Sequence, residues 1–193
     1  MFELVLHHDY ATETAQDLSG NDNHGRISHL SLVEGMRPST AALGFDGYTD
    51  RVVVFPSESL NDLKALRISA WIWVQELGQR RNLLEGFVSF AMMIEEDGTL
   101  QCKVYDGTRW DGVWTPPNTI PVQEWIQVHF VYDGDETAAL YVNDHLVAKR
   151  YWHLGHVHSI AWPYGLNIGA WPDADRYVFA GKIATLKVWR AAR

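Results

Sequence analysis

The clearest alternation of apolar and polar positions runs from residue 124 to residue 150. Between positions 125 and 132 every second side chain falls on one face, and this two-residue period is that of a β-strand. The polar residues 133–136 interrupt the alternation, which resumes at 140–142 and again after Asn143-Asp144. Because Asp, Asn and Gly favour tight turns, the segment predicts three consecutive antiparallel strands.

Similar patterns recur along the rest of the chain. Only residues 57–66 resemble a helical turn, and the segments 106–121 and 170–177 are rich in Gly, Pro and Asp and are predicted to be loops. Further strands are predicted at 2–7, on both sides of Asp46-Gly47 within 40–55, at 67–74, at 83–95 and 100–105, at 166–169, at 178–179 and at 183–189. About twelve to fourteen short strands with almost no helix predict an all-β, two-sheet antiparallel sandwich or jelly roll, in a single domain spanning residues 1–193.

Charge and apolar patterning exclude two classes of partner. The 16 Lys and Arg residues face 24 Asp and Glu residues, and the resulting net charge of -8 opposes binding to nucleic acid and to anionic membranes. No apolar run approaches the length that spans a membrane, so membrane insertion is not expected. The first residues lack the basic start and apolar centre of a signal peptide, so the chain as given is expected to be soluble and carries no cellular address.

The single cysteine, Cys102, excludes a disulfide within the chain. It shares the phase of Leu100 and Val104 in a predicted strand, which places its side chain inside the sandwich. We therefore predict a structural thiol rather than a reactive one.

The chain contains nine tryptophans and eight tyrosines, more than one core needs. Indole rings exposed on a rigid scaffold can stack on the C–H faces of sugar rings, while sugar hydroxyls require polar partners. The alternative is that two or three of the rings plug the open ends of the sandwich. The predicted ligand-binding residues are the loop tryptophans Trp110, Trp114, Trp162 and Trp171 and the neighbouring polar residues Arg109, Asp111, His156 and His158.

Several short motifs occur in the order found in one family. The chain resembles the laminin-G-like, or pentraxin-like, branch of the concanavalin A-like lectin/glucanase jelly rolls over nearly its whole length. The resemblance implies two curved sheets of about six or seven strands each, with rim loops that bind glycans, often with calcium, and an extracellular or cell-surface role. It also implies a framework role for Trp71, Trp125 and Trp189. The motifs are Asp17-x-Ser19-Gly20-Asn21-x-Asn23-x-Gly25, Ala42-Leu43-x-Phe45-Asp46-Gly47, Ile68-Ser69-Ala70-Trp71, Tyr132-Asp133-Gly134, Leu140-Tyr141-Val142-Asn143-Asp144, Ile168-Gly169 and Phe179-x-Gly181-Lys182-Ile183.

The same resemblance implies a calcium ion in the loop after Ile168-Gly169, where Asp173 and Asp175 are the matching ligands. A second acidic loop offers Asp17 and Asn21 to a hard cation. In both loops the other interpretation is structural: Asp175 pairs with an arginine or caps a turn, and Asp17 closes its own loop. The family's last strand usually carries an acidic residue where this chain has Ala184 and Thr185, so a metal near Asp17 would lack one of the family's ligands.

Two further kinds of chemistry receive little support. A zinc site at His153, His156 and His158 lacks a carboxylate partner or a ligand of matching phase. The alternating carboxylates of the superfamily's glucanases are also missing, since the acidic clusters 95–97 and 133–136 fall at predicted turns. We therefore expect no catalysis. The first hypothesis is a lectin-like domain that binds a glycan, the second a protein-interaction or self-association domain, and the third a glycoside hydrolase or polysaccharide lyase.

Overall fold

The computed structural model describes residues 1–151, 155–172 and 175–192. Nearly all of the regular structure is β. Two short 3-10 helices occur at Tyr10–Thr12 and Glu58–Leu60. The strands are β1 (Phe2–Asp9), β2 (Gly25–Ser28), β3 (Ser31–Glu34), β4 (Ala41–Asp46), β5 (Arg51–Val54), β6 (Leu66–Val74), β7 (Arg81–Gly86), β8 (Phe90–Ile94), β9 (Leu100–Tyr105), β10 (Trp110–Trp114), β11 (Trp125–Tyr132), β12 (Thr137–Val142), β13 (His145–Tyr151), β14 (Leu166–Ile168) and β15 (Ala180–Ala191).

The strands form two sheets in which all the described pairings are antiparallel. Sheet A has the order β13-β12-β11-β6-β15-β4-β3, and sheet B has the order β10-β9-β8-β7-β14-β5-β2. β15 is long enough to pair with β4 along its first half and with β1 along its second half. The predicted two-sheet antiparallel sandwich is therefore confirmed.

The two sheets meet in one apolar core. β11 shows the predicted alternation, with Ile126, Val128 and Phe130 buried and the intervening side chains turned outward. The meander of β11, β12 and β13 is confirmed, and Asn143 and Asp144 form its tight turn with φ values of 48° and 64°. Such left-handed values suit Asn and Asp better than other residues with a side chain.

Cys102 is fully buried in this core, and burial raises the pKa of its thiol well above the usual range, as expected of a structural cysteine. Tryptophan, by contrast, is missing from the described part of the core. Trp71, Trp125 and Trp189, to which a framework role was assigned, lie half-buried on the outer face of sheet A. They cover the sheet rather than fill the sandwich.

Two local predictions were wrong. Residues 110–114, predicted to lie in a loop, form β10, because Val113 alternates inward and the strand completes the edge of sheet B beside β9. Residues 178–179, predicted to form a strand, lie just before β15 and outside it. The strand predicted at 183–189 is confirmed within β15, which stays paired with β6 through a bulge between Ile183 and Thr185. The helical turn predicted at 57–66 is confirmed as one 3-10 turn, whose N-cap is Ser57.

Candidate functional site

A groove of about 300 Å³ lies on the outer face of sheet B. Ala91 and Met93 of β8 form its floor, because their neighbours Met92 and Ile94 point into the core. Trp110 of β10 and Trp171, which follows β14, line the same groove from two different parts of the fold. The remaining lining residues are Arg80, Glu85, Phe87, Val88 and Lys103.

The position of Trp110 follows from the alternation of β10. Trp110, Gly112 and Trp114 share the outer face, while Val113 is buried against the core. Gly112 stands directly opposite Lys103 of β9, and a Cβ atom at Gly112 would lie 2.3 Å from the carbonyl oxygen of Cys102. Only glycine therefore fits between the two tryptophans. The Trp110 ring packs on Tyr105, with 5.3 Å between ring centroids.

Trp171 is held by contacts at the surface. Its backbone N–H donates to the carbonyl oxygen of Arg176 at 3.0 Å, and its ring lies 5.4 Å from that of Tyr177. The Arg80 guanidinium lies 5.5 Å from the Trp171 ring centroid and 4.4 Å from that of Tyr177. The segment begins at Gly169, where φ is +84° and an added Cβ atom would lie 2.2 Å from Cε1 of Phe45. Glycine therefore permits the turn that brings Trp171 to the groove.

Glu85 supplies a buried carboxylate beside these rings and is only 5 % exposed. Its Oε2 accepts a hydrogen bond from Nδ2 of Asn82 at 2.6 Å and one from Nη2 of Arg80 at 3.5 Å. Burial raises the pKa of the Glu85 carboxyl, and the charges of Arg80 and Lys103 and the Asn82 hydrogen bond offset only part of this rise. The groove thus combines aromatic walls with polar groups held in fixed orientations.

A second groove, of about 400 Å³, adjoins the first on the same face. Arg80 lines both grooves. Trp114 is 52 % exposed, and the guanidinium of Arg150 lies 5.1 Å from the centroid of one of its rings. The other lining residues of this second groove are Glu95, Glu96, Asp97, Thr99 and Gln101.

The structure therefore brings three of the four predicted tryptophans to one face of sheet B. The fourth, Trp162, is 72 % exposed and packs against Phe55, just after β5 and far from β10 in the strand order of the sheet. Asp111 alternates with the tryptophans of β10 and accepts a hydrogen bond from Nη1 of Arg150. Arg109 is exposed in the turn before β10, where its backbone N–H donates to Asp106.

The predicted histidines His156 and His158 do not line the groove. The His158 ring contacts Tyr105 edge-on, with 5.6 Å between ring centroids, and the Tyr105 ring packs against Trp110. His156 is exposed and lies 4.0 Å from the Asp62 carboxylate. The third member of the zinc hypothesis, His153, lies outside the described residues.

The described residues among those predicted to bind calcium have partners within the protein. Asp173 lies outside the described residues, and Asp175 forms an ion pair with Arg51. Burial raises the pKa of the Asp17 carboxyl, but hydrogen bonds from the N–H groups of His7, Ser19 and Asn23 and from the Ser19 hydroxyl outweigh this and lower its pKa.

Within the same loop, Nδ2 of Asn21 donates to the Leu4 carbonyl oxygen and to Oγ of Ser19. No group of three His, Cys, Asp or Glu side chains placed to share a metal ion occurs in the part of the chain that the structure describes. These partners compete with a calcium ion for the same oxygens, and calcium binding in these loops stays a prediction.

Sequence reasoning missed Glu85, Arg80 and Lys103. A bulge between Asn82 and Leu84 changes the phase of β7, so that Leu83 and Leu84 are both buried and Glu85 turns to the outer face. The available signal was a single carboxylate within the apolar strand Leu83-Leu84-Glu85. Its assignment to a face required knowledge of the bulge.

Comparisons with solved structures show the same fold in binding domains. The binding domain of Paraclostridial Mosquitocidal Protein 1 is 16% identical, with a TM-score of 0.80 over 99% of this chain and 49% of that chain. The botulinum neurotoxin serotype G binding domain is 11% identical, with a TM-score of 0.71 over 96% of this chain and 47% of that chain. The chain spans about half the length of these toxin domains, and at such identities the likeness concerns the fold alone.

A third structure matches over almost the whole length of both chains. Domain 4 of AbnA, a GH43 extracellular arabinanase from Geobacillus stearothermophilus, solved in complex with arabinotriose, is 15% identical, with a TM-score of 0.73 over 98% of this chain and 93% of that chain. No curated protein sequence matches significantly. Among the described residues, no helix is long and apolar enough to cross a membrane.

A family model agrees with the fold. The Laminin_G_3 model, described as concanavalin A-like lectin/glucanases superfamily, matches residues 46–193 and so includes both grooves. With sheet order, core and family match in agreement, the chain belongs to the Laminin_G_3 family of the concanavalin A-like lectin/glucanases superfamily.

Proposed function

We propose that this domain binds a carbohydrate chain in the groove on the outer face of sheet B and does not catalyse a reaction on it. The observation that carries the proposal is the convergence of Trp110 and Trp171 on one groove that also contains the buried carboxylate of Glu85. Indoles match the C–H faces of sugar rings, and the carboxylate and its neighbours match sugar hydroxyls. An extracellular or cell-surface setting is part of the proposal.

The groove has an aromatic side and a polar side, which suits a ligand with both an apolar and a hydroxyl-bearing surface. β10 and β7 are three strands apart in sheet B, so Trp110 and the Arg80–Glu85 pair are separated by about 14 Å at the usual strand spacing. Between them the floor is low, because Ala91 carries only a methyl group. A sugar seated on this floor can stack on an indole at one side and exchange hydrogen bonds with Glu85 of β7 at the other and with Lys103 of β9 between them.

The arrangement of carboxylates favours binding over hydrolysis. Hydrolysis by the usual mechanism requires two carboxyl groups on either side of the bond that is cut. Of the described residues that line this groove, Glu85 alone has a carboxylate, and Arg80 and Asn82 already hold one of its oxygens. Its chemistry is that of a fixed hydrogen-bond acceptor.

The proposal is tested on a glycan array, followed by titration calorimetry with the glycans that give a binding signal. Trp110→Ala and Trp171→Ala should each weaken binding at least tenfold, or about 1.4 kcal/mol. Trp162→Ala is the control, because this indole is even more exposed than Trp110, 72 % against 39 %, but packs against Phe55 toward the far edge of sheet B. Wild-type protein that binds no glycan, or binding that needs Trp162 and not Trp110, would overturn the proposal.

A second candidate function, self-association, is favoured by the outer face of sheet A. Trp71 and Trp73 of the central strand β6, Trp125 of β11 and Trp189 of β15 share this face, and Trp125 stands directly opposite Trp73. Aromatic residues are enriched where protein surfaces associate. The test is sedimentation velocity over a range of concentrations. Assembly that is lost in the double variant Trp73→Ser, Trp125→Ser supports this function, and a monomer at all concentrations contradicts it.

A further inference from the structure

The two grooves of sheet B are long enough, taken together, for more than one sugar. Trp110 and Trp114 point to the same side of β10 and are four residues apart, which is about 13 Å at the usual rise of a strand. This distance exceeds the length of one sugar ring, so one ring cannot stack on both indoles. Since Arg80 lines both grooves, a chain can pass from one to the other beside its guanidinium.

The surface between the two indoles is low and polar. Gly112 carries no side chain, and its neighbours across the β9–β10 pairing are Lys103 and, opposite Trp114, Gln101. Any larger residue at position 112 would collide with the carbonyl oxygen of Cys102, so the backbone itself keeps this passage open. An amide and an ammonium group along such a passage can reach the hydroxyls of a chain that lies over it.

The charges along both grooves disfavour an anionic chain. Arg80 and Lys103 contribute two positive charges, whereas Glu85, Glu95, Glu96 and Asp97 contribute four negative charges, which leaves a formal charge of -2. Arg80 is also occupied, because it faces Glu85 and lies against two aromatic rings. Uronate or sulfate groups would meet net repulsion, most strongly at the Glu95–Asp97 end.

We propose that the two grooves form one site for an uncharged linear oligosaccharide, which lies between Trp110 and Trp171 in the first groove, passes between Arg80 and the low surface at Gly112, and stacks on Trp114 in the second groove. This inference rests on the proposed function and adds the length and the charge of the glycan. Trp114 suits the outer position, because half of its surface is open while Arg150 lies against one of its rings.

The experiment uses size-graded ladders of uncharged arabino-, xylo- and gluco-oligosaccharides, from the disaccharide to the hexasaccharide, with a galacturonic acid ladder as the charged counterpart. In titration calorimetry, the affinity for at least one uncharged ladder should rise about three- to tenfold once the chain reaches Trp114. Trp114→Ala should remove this rise and leave the short members unchanged, and Trp114→Phe should restore part of it. Trp110→Ala should weaken binding at every length.

The charge of the glycan is tested with the double variant Glu95→Gln, Glu96→Gln. Galacturonic acid oligosaccharides should bind more weakly than the preferred uncharged oligosaccharides of the same length. At low salt, the double variant should reduce this difference in affinity. A preference for the charged ladder, no binding of any uncharged ladder, or equal weakening of all lengths by Trp114→Ala would each overturn the inference. The glycan array decides the proposed function separately, because a glycan that scores there and requires Trp110 supports that function whatever its length or charge.

Discussion

The outer faces of the two sheets use the same kind of residue in opposite ways. On sheet A the tryptophans stand on or beside the central strand: β6 carries Trp71 and Trp73, and β11 carries Trp125. On sheet B the tryptophans stand at the margins, on the edge strand β10 and in the segment after β14, while the centre carries Ala91.

The difference shows that the position of large residues in a sheet decides whether a face is recessed. Indoles on a central strand cover the sheet and leave a broad aromatic surface, whereas indoles around a centre of small side chains enclose a groove. The number of tryptophans is therefore a poor guide to a binding site. The size of the residues between them is the better one.

The largest effect is expected when the groove floor on the outer face of sheet B is filled with a large side chain. Ala91→Trp should abolish carbohydrate binding, a loss of at least about a hundredfold in affinity, because the new indole occupies the floor between Trp110 and Glu85. Overpacking at a position that is 3 % exposed should also lower the unfolding free energy by about 1–3 kcal/mol. Titration calorimetry and urea unfolding measure the two effects.

The matched control puts the same side chain on the other face. Ser69 of β6 points outward from the centre of sheet A and is 6 % exposed. Ser69→Trp should cost a similar amount of stability and leave carbohydrate binding intact. If both variants lose binding equally, the loss reflects damage to the fold, and the comparison of the two faces fails.

Smaller effects are expected when one tryptophan on each face is replaced by alanine. Trp171→Ala should remove most of the binding with little change in melting temperature, because its ring contacts Arg80 and Tyr177 at the surface rather than the core. Trp71→Ala should do the reverse, since Trp71 lies between Gln127 and Thr185 on the central strands and contributes about 1 kcal/mol of packing. Thermal melts of both variants decide the matter, and a large drop in melting temperature for Trp171→Ala would show that this ring is structural.

The two faces should also respond to pH with opposite signs. On sheet A, burial lowers the pKa of His7 and of His129 from the ordinary value of 6.5, so stability is complete above pH 6.5 and is lost as the pH falls toward the lowered values. On sheet B, burial raises the pKa of Glu85 from 4.5, so stability is greatest below pH 4.5 and is lost as the pH rises through the raised value.

Two variants separate these pH effects, and the effect of His129 is worth less than about 1 kcal/mol because solvent screens this partly exposed side chain. Urea unfolding of His129→Gln should show a weaker loss of stability below pH 6.5 than the wild type. Glu85→Gln should show a weaker loss above pH 4.5. If both variants keep the wild-type dependence of stability on pH, neither group is responsible for it. Burial also lowers the pKa of the fully buried His8, but His8 is present in the wild type and in both variants, so its contribution cancels in the comparison.

The smallest effect is expected from calcium. Both oxygens of Asp17 accept hydrogen bonds from the protein and Asp175 pairs with Arg51, so EDTA should change neither the melting temperature nor the affinity for the glycan. Melts in EDTA and in excess calcium chloride measure this. A melting temperature that rises and saturates with calcium would show a site beyond the hydrogen-bonded loops seen here.

Local sequence patterns determined much of the fold. Period-two alternation identified β11 and its neighbours, Asn143-Asp144 identified their turn, and the phase of Cys102 placed it in the core. These features depend on residues close in sequence, whose backbone preferences and apolar faces are visible without knowledge of the partner strands. Of the proposed site, the sequence indicated Trp110, Trp114 and Trp171 as tryptophans of predicted loops, although Trp110 and Trp114 lie in the strand β10.

Only the tertiary structure decided which of these residues share a surface. Trp162 looked equivalent to Trp171 in sequence, yet pairing of β14 with β5 and β7 and the turn at Gly169 bring Trp171 to Arg80 and leave Trp162 beside Phe55. The bulge in β7 places both Leu83 and Leu84 in the core and turns Glu85 to the outer face. Alternation fixes which residues lie on one face of a strand, but long-range strand order and bulges fix what stands beside them, and the proposed site depends on those neighbours.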